Sequence, residues 1–239
     1  MDTTFWQQIT GEFLGTFILI LLGDGVVAAN VLKKTKSYNG GWVMISLGWG
    51  LAVSMAVYAV GWLSPGHINP AVTLGMAVAG EFGWDMVLPY IIAQVAGGFA
   101  GAVVVWLHYM PHFEATEDKE AILAVFSTGP AIKSSVWNLV SETIATTVLV
   151  YGLLAFTQGD FTDGLNPLVV GLLIVVIGLS LGGTTGYAIN PARDLGPRMA
   201  HQVLPIANKG HSDWGYAWVP IIGPFIGGVL GALIYLLVI

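Results

Sequence analysis

Twice in this chain an Asn-Pro-Ala tripeptide follows a long charge-free apolar stretch and opens a segment too short to cross a bilayer, at Asn69-Pro70-Ala71 and Asn190-Pro191-Ala192. Segments 69–80 and 190–203 hold 12 and 14 residues, which as helices rise roughly 18 to 21 Å against ~30 Å of hydrocarbon. Each must therefore enter and stop inside. The preceding loops, Ser64-Pro65-Gly66-His67 and Gly182-Gly183-Thr184-Thr185-Gly186, are poor helix formers rich in Gly and Pro, as a chain returning to mid-depth requires. Non-helical backbone at that depth persists only beside protein or water, because lipid cannot pair its N–H and C=O groups.

The rest of the chain reads as lipid-facing helix. Charged residues are only 9% of the chain, against about 25% in soluble domains. No Lys, Arg, Asp or Glu lies between Lys36 and Glu81 or between Asp163 and Arg193, and Glu142 alone interrupts 134–159. Hydropathy draws six spans, at 11–32, 42–62, 85–109, 136–157, 165–183 and 216–238. The first follows a stretch without Lys or Arg and lacks a small-residue cleavage site, so it is read as a membrane anchor and not a cleaved signal. The absence of Cys excludes disulfides, thiolate metal sites and cysteine nucleophiles, and no metal or other cofactor is expected. A net charge of -6, clustered only at Lys33, Lys34, Lys36 and at Glu114, Glu117, Asp118, Glu120, makes nucleic acid an unexpected partner.

The halves echo each other. Gly11-Glu12-Phe13-Leu14-Gly15-Thr16 matches Ser141-Glu142-Thr143-Ile144-Ala145-Thr146, and Gly66-His67-Ile68 matches Tyr187-Ala188-Ile189. Three crossings per half is an odd number, so a second copy must sit upside down relative to the first. The expected fold is an all-α membrane protein of six transmembrane helices plus two re-entrant half-helices, in one domain spanning 1–239. Repeat 1 covers about 5–111, a linker loop 112–133, and inverted repeat 2 about 134–239.

Asn is among the best N-caps because its side-chain oxygen accepts a first-turn N–H, and Pro at the next position gives up no needed donor. The amide NH2 groups of Asn69 and Asn190 are then expected to point outward, while Ala71 and Ala192 let the tips approach. Two helix amino termini facing one point carry about half a positive charge each and repel cations. A donor-only centre also interrupts proton hopping along a file of water. Together these describe a pore, with Arg193 as the one unpaired charge inferred at mid-depth.

On these residues the chain resembles the major intrinsic proteins, the aquaporins and aquaglyceroporins, and most closely the bacterial glycerol uptake facilitators. The likeness runs from Gly11-Glu12-Phe13-Leu14-Gly15-Thr16 through Trp49-Gly50-Leu51, Gly66-His67-Ile68-Asn69-Pro70-Ala71-Val72-Thr73 and Gly186-Tyr187-Ala188-Ile189-Asn190-Pro191-Ala192-Arg193-Asp194 to Val219-Pro220. It implies the aquaporin fold, one pore per subunit and a homotetramer in the lipid bilayer. It also implies a selectivity filter at the positions of Trp49, Gly178, Tyr187 and Arg193, with pore carbonyls from Gly66, His67 and Ile68 and from Gly186, Tyr187 and Ala188. Glu12 and Glu142 match family residues that brace the re-entrant loops. A proton relay is the competing reading of that pair.

Water-selective relatives usually carry a His where Gly178 stands and a Phe where Trp49 stands. Hydrogen in place of that imidazole is expected to widen the constriction by several ångströms, with Trp49 and Tyr187 forming an apolar corner. That shape suits glycerol, related small uncharged solutes and water; dihydroxyacetone, urea, hydrogen peroxide and protonated lactic acid also fit. A strict water channel is disfavoured by Gly178, and an ion-coupled transporter by the lack of a carboxylate cluster at the tips. Glycines at Gly97 and Gly101, and at Gly223, Gly227 and Gly231, have the spacing of helix seams and are expected to pack within the subunit. Trp residues near span ends read as interfacial anchors, Trp49 excepted. His67 is weighed as structural against a pH gate, and His108, His112, His201 and His211 as loop or interface residues. Lys33, Lys34, Lys36, Lys119 and Lys209 fall in loops the family places outside, so positive-inside counting alone predicts external termini. The resemblance instead implies cytoplasmic termini in a bacterial cytoplasmic membrane, and that expectation is preferred.

Overall fold

The computed structural model describes residues 3–239, and every regular element among them is a helix. In chain order these are α1 (Phe5–Val31), α2 (Gly41–Val60), α3 (Pro70–Val78), α4 (Trp84–His108), α5 (Met110–Glu114), α6 (Lys119–Phe126), α7 (Ser135–Phe156), α8 (Asn166–Leu181), α9 (Pro191–Val203) and α10 (Val219–Leu236). Five of them, α1, α2, α4, α7 and α10, are long and apolar enough to cross a membrane. The sixth expected span is the shorter α8, of 16 residues, bounded by a Pro in its first turn and by Gly182 after its end. Leu88, Ile92, Leu172 and Val176 are all more than half exposed, so the outward surface is apolar, as lipid demands.

The two half-helices sit where the tripeptides place their starts, but α3 is only 9 residues long. It ends early because Gly80, at φ 83°, allows a left-handed C-terminal turn. The Gly80 N–H donates to the Ala77 carbonyl at 3.2 Å and the Glu81 N–H to that of Met76 at 2.9 Å, the Schellman pattern that satisfies the last carbonyls.

The stretch 112–133, expected as a loop, contains α6 and the end of α5. Asp118 caps α6 by accepting from the N–H groups of Glu120 and Ala121, and Ile122, Val125 and Phe126 bury one face against α1 and α9. Eight capped, amphipathic residues were enough for a helix amid the charges that had suggested a loop.

Within each half the long helices pair closely, α1 with α4 and α2, and α7 with α10 and α8. The short helices cross over: α3 packs on α10 and α9 on α4, each against the other half of the chain. The glycine seams serve these contacts inside the subunit. A Cβ on Gly101 would lie 2.7 Å from the Phe17 carbonyl oxygen, and one on Gly231 would lie 2.8 Å from that of Thr147. Gly98 likewise admits the Ala192 carbonyl of the α9 tip, and Gly228 that of Ala71 at the α3 tip.

Candidate functional site

At the tip of α3, Asn69 Oδ1 accepts from the Ala71 N–H at 2.9 Å; at the tip of α9, Asn190 Oδ1 accepts from Ala192 and Arg193 at 3.0 and 3.2 Å. These are the caps that the tripeptides imply. The amide nitrogens, expected to point outward, also bond across the tip contact. Asn69 Nδ2 donates to the Ile189 carbonyl and Asn190 Nδ2 to the Ile68 carbonyl, each at 2.8 Å. One hydrogen of each NH2 is thus spent across the tip contact and one remains for a solute. Ile68, counted with the pore carbonyls, has a carbonyl already accepting from Asn190, and Ile189 is its counterpart in the second half.

Ile68 and Ile189 adopt φ of 45° and 43°, a left-handed region that β-branched residues avoid. Such strain needs surrounding structure to hold it. Glu12 supplies it in the first loop, accepting from Ser64 Oγ and Gln94 Nε2 and from the N–H groups of His67 and Ile68 at 2.7 to 3.0 Å. Glu142 does the same in the second, accepting from Ala188 and Ile189 N–H at 2.9 Å. Both carboxylates are fully buried.

Of the four expected filter residues, Trp49 and Arg193 meet directly, the guanidinium carbon lying 4.2 Å over the indole ring. Gly178 and Tyr187 also meet, but not as an open gap. A Cβ at Gly178 would lie 2.8 Å from Tyr187 Cζ and 2.9 Å from both its hydroxyl and Ser46 Oγ. The volume released by the missing side chain is therefore filled by the phenol ring, which lies along α8 toward Gly182. Trp42, expected as an interfacial anchor, closes this corner: its indole N–H donates to the Gly178 carbonyl at 2.8 Å and its ring stands edge-on to Tyr187 at 5.7 Å.

Arg193 is 6% exposed and is not a lone charge. Its Nη1 lies 3.5 Å from Asp24 Oδ1 in α1 and donates to the Phe126 carbonyl at 3.4 Å. Arg193 does not pair with its chain neighbour Asp194. Asp194 instead binds Arg198 through Nε at 2.7 Å and Nη2 at 3.1 Å. Arg198 is fully buried, and its remaining hydrogens go to the carbonyls of Ser212, Asp213 and Thr128, so all five donors are used.

A cavity of about 550 Å³ runs from Trp49 and Arg193 past Asn69 and Asn190 to Glu81, Phe82, Phe161 and Asn166. At about 30 Å³ per water it has room for a file of small molecules. Its walls differ in chemistry. Leu19, Val53, Val57, Leu149, Leu153, Val170 and Ile174 line it with hydrocarbon, while the loops 65–69 and 186–190 contribute backbone and the two Asn side chains. His67 borders the cavity, with Nδ1 3.2 Å from Thr73 Oγ1 and its ring edge-on to Phe82.

The major intrinsic protein family model matches residues 1–235. The chain belongs to the major intrinsic protein family. It is 68% identical over 228 residues, 95% of each chain, to glycerol uptake facilitator protein 3 of Lactiplantibacillus plantarum. It is 58% identical to the glycerol uptake facilitator protein of Streptococcus pneumoniae, over 96% of this chain and 98% of that one. Its fold is similar to that of the aquaglyceroporin from Plasmodium falciparum, with a TM-score of 0.84 at 32% identity over 97% and 96% of the two chains. With its apolar helices, this major intrinsic protein is an integral membrane protein of the aquaporin fold.

Four residues of this major intrinsic protein do more than sequence reading suggested. Asp24 sits in an apolar run, and its isolation there was the available signal. Arg198 follows Asp194 by four positions, a helical ion-pair spacing. His201, expected in a loop or interface, lies in α9, fully buried, its Nδ1 2.8 Å from Ser212 Oγ. Lys209, outside the spans, caps the end of α9 by donating to the carbonyls of His201, Gln202 and Leu204, and partial burial lowers its ammonium pKa from the ordinary value.

Proposed function

We propose that the chain is a passive, bidirectional channel for glycerol, related small uncharged solutes and water, excluding ions and protons. The observation that carries this reading is the two-sided wall of the cavity. A polyol has a hydrocarbon edge and a hydroxyl edge; one lies against Leu19, Val53, Leu149 and Ile174, while the other meets the loop backbone, Asn69, Asn190 and Arg193. Trp49, Gly178, Tyr187 and Arg193 form the filter, and Asn69-Pro70-Ala71 with Asn190-Pro191-Ala192 the central constriction. Relatives named glycerol uptake facilitators support the choice of solute. Dihydroxyacetone, urea, hydrogen peroxide and protonated lactic acid share its small size and neutrality.

Exclusion of cations and protons rests on the amino termini of α3 and α9 facing the same point with hydrogen-bond donors, the electrostatic barrier general to such pores. In this reading residues 5–111 and 134–239 are inverted repeats, four copies assemble in the bilayer, and both termini face the cytoplasm of a bacterial cell. Glu12 and Glu142 hold the loops, and the carbonyls of Gly66, His67, Gly186, Tyr187 and Ala188 offer acceptors along the pore. The test is light scattering by proteoliposomes in a glycerol gradient. Rapid glycerol-driven reswelling is expected; water flux without solute flux refutes the proposal.

A further inference from the structure

Asp24 is the one carboxylate in the membrane interior that the loops do not use. It is fully buried, and neither oxygen has a hydrogen-bond partner among the described residues. Glu12, Glu142 and Asp194 each accept from backbone or side-chain donors; Asp24 has only Arg193 Nη1, at 3.5 Å. A buried ion without a counterion costs several kcal/mol, so this residue makes sense only in terms of that guanidinium. Beside it, Gly23 has no side chain to keep the Trp49 ring away, and that ring lies under the same guanidinium. Arg193 is thus held between an aromatic face and a carboxylate.

We propose that Asp24 is a positioning and specificity-determining residue, which cancels the charge of Arg193 while leaving its outward N–H groups free. The inference rests on the filter role assigned to Arg193 above. Paired, the guanidinium offers donors to a hydroxyl without a net positive field. Unpaired, it is an anion site. The class of solute that Asp24 rejects is therefore the small monovalent anion, and the class it favours is the neutral hydrogen-bond acceptor.

The test compares four proteins in liposomes: unaltered, Asp24→Asn, Arg193→Val and the double variant. Glycerol flux and nitrate flux, the latter with potassium and valinomycin, are measured separately. Losing one negative charge within several ångströms of a passing anion, at a protein-like dielectric, raises nitrate flux on the order of tenfold in Asp24→Asn. The same substitution does nothing to nitrate flux once Arg193 is Val, because a carboxyl buried without its cation is already neutral and has no charge to lose. An unchanged nitrate flux in Asp24→Asn overturns the proposal, as does an equal rise in the Arg193→Val background, which would place the effect in packing alone. If Asp24→Asn does not accumulate, recovery of folded protein in the double variant supports the pair and its absence overturns it. Lack of glycerol flux in the unaltered protein is a separate failure, that of the channel reading, and leaves the nitrate comparison to decide this one.

Discussion

Replacing Gly178 with Ala tests whether the filter depends on where the Tyr187 ring lies. The added methyl would stand 2.8 Å from Tyr187 Cζ. Carbon contacts settle at about 3.5 to 4.0 Å, so the ring must retreat by roughly 0.7 to 1.2 Å. Along α8 it is held by its contact with Gly182, and Trp42 stands edge-on against it. The yielding direction is the cavity, which Tyr187 borders. Overpacking a filled site typically costs about 1 to 3 kcal/mol, and if the passing solute bears that strain its flux falls roughly 5- to 150-fold. Stopped-flow light scattering on proteoliposomes should give that loss for glycerol, with water, the smaller permeant, slowed far less. Gly178→His should go further in the same direction. A correctly incorporated Gly178→Ala channel with an unchanged glycerol-to-water ratio would falsify the reasoning.

Glu12→Gln replaces one acceptor oxygen with an NH2 donor facing groups that are all donors; it should destabilise the protein by about 1 to 3 kcal/mol, seen as a lower unfolding temperature in detergent. No change in that temperature would mean that the loop is held by other contacts. Arg198→Leu leaves Asp194 buried without its cation, a loss of about 3 to 5 kcal/mol that should appear as a collapse in monodisperse yield. Arg198→Lys should rescue little, because an ammonium cannot reproduce five fixed donors. A reporter fused after Ile239 should read as cytoplasmic, and export-dependent activity from it would reverse the assigned orientation.

Local chemistry was readable and distant pairing was not. Asn-Pro-Ala announces its helix start because cap, ring and first turn are neighbours in sequence, and charge-free runs announce spans because lipid acts on each residue separately. The Asp24–Arg193 and Trp42–Gly178 contacts join residues far apart along the chain, and nothing local to either partner names the other. Gly178 was singled out, yet its emptiness was taken as open space, since the occupant, Tyr187, comes from the loop that follows α8. The helix α6 was hidden by composition: its charges suggested solvent, while Ile122, Val125 and Phe126 supplied a buried face. Left-handed isoleucines at Ile68 and Ile189 run against propensity and are tolerated only through carboxylates on other helices.

The reciprocal bonds from Asn69 to Ile189 and from Asn190 to Ile68 bear on biogenesis. While the ribosome has delivered only the leading portion, the amide of Asn69 and the oxygen of Ile68 await mates that have yet to be synthesised. The first hairpin dip into the bilayer is then provisional, and its mature geometry arrives with the trailing portion. Completion of the tip contact is consequently a late event, which the trailing portion of the chain must supply.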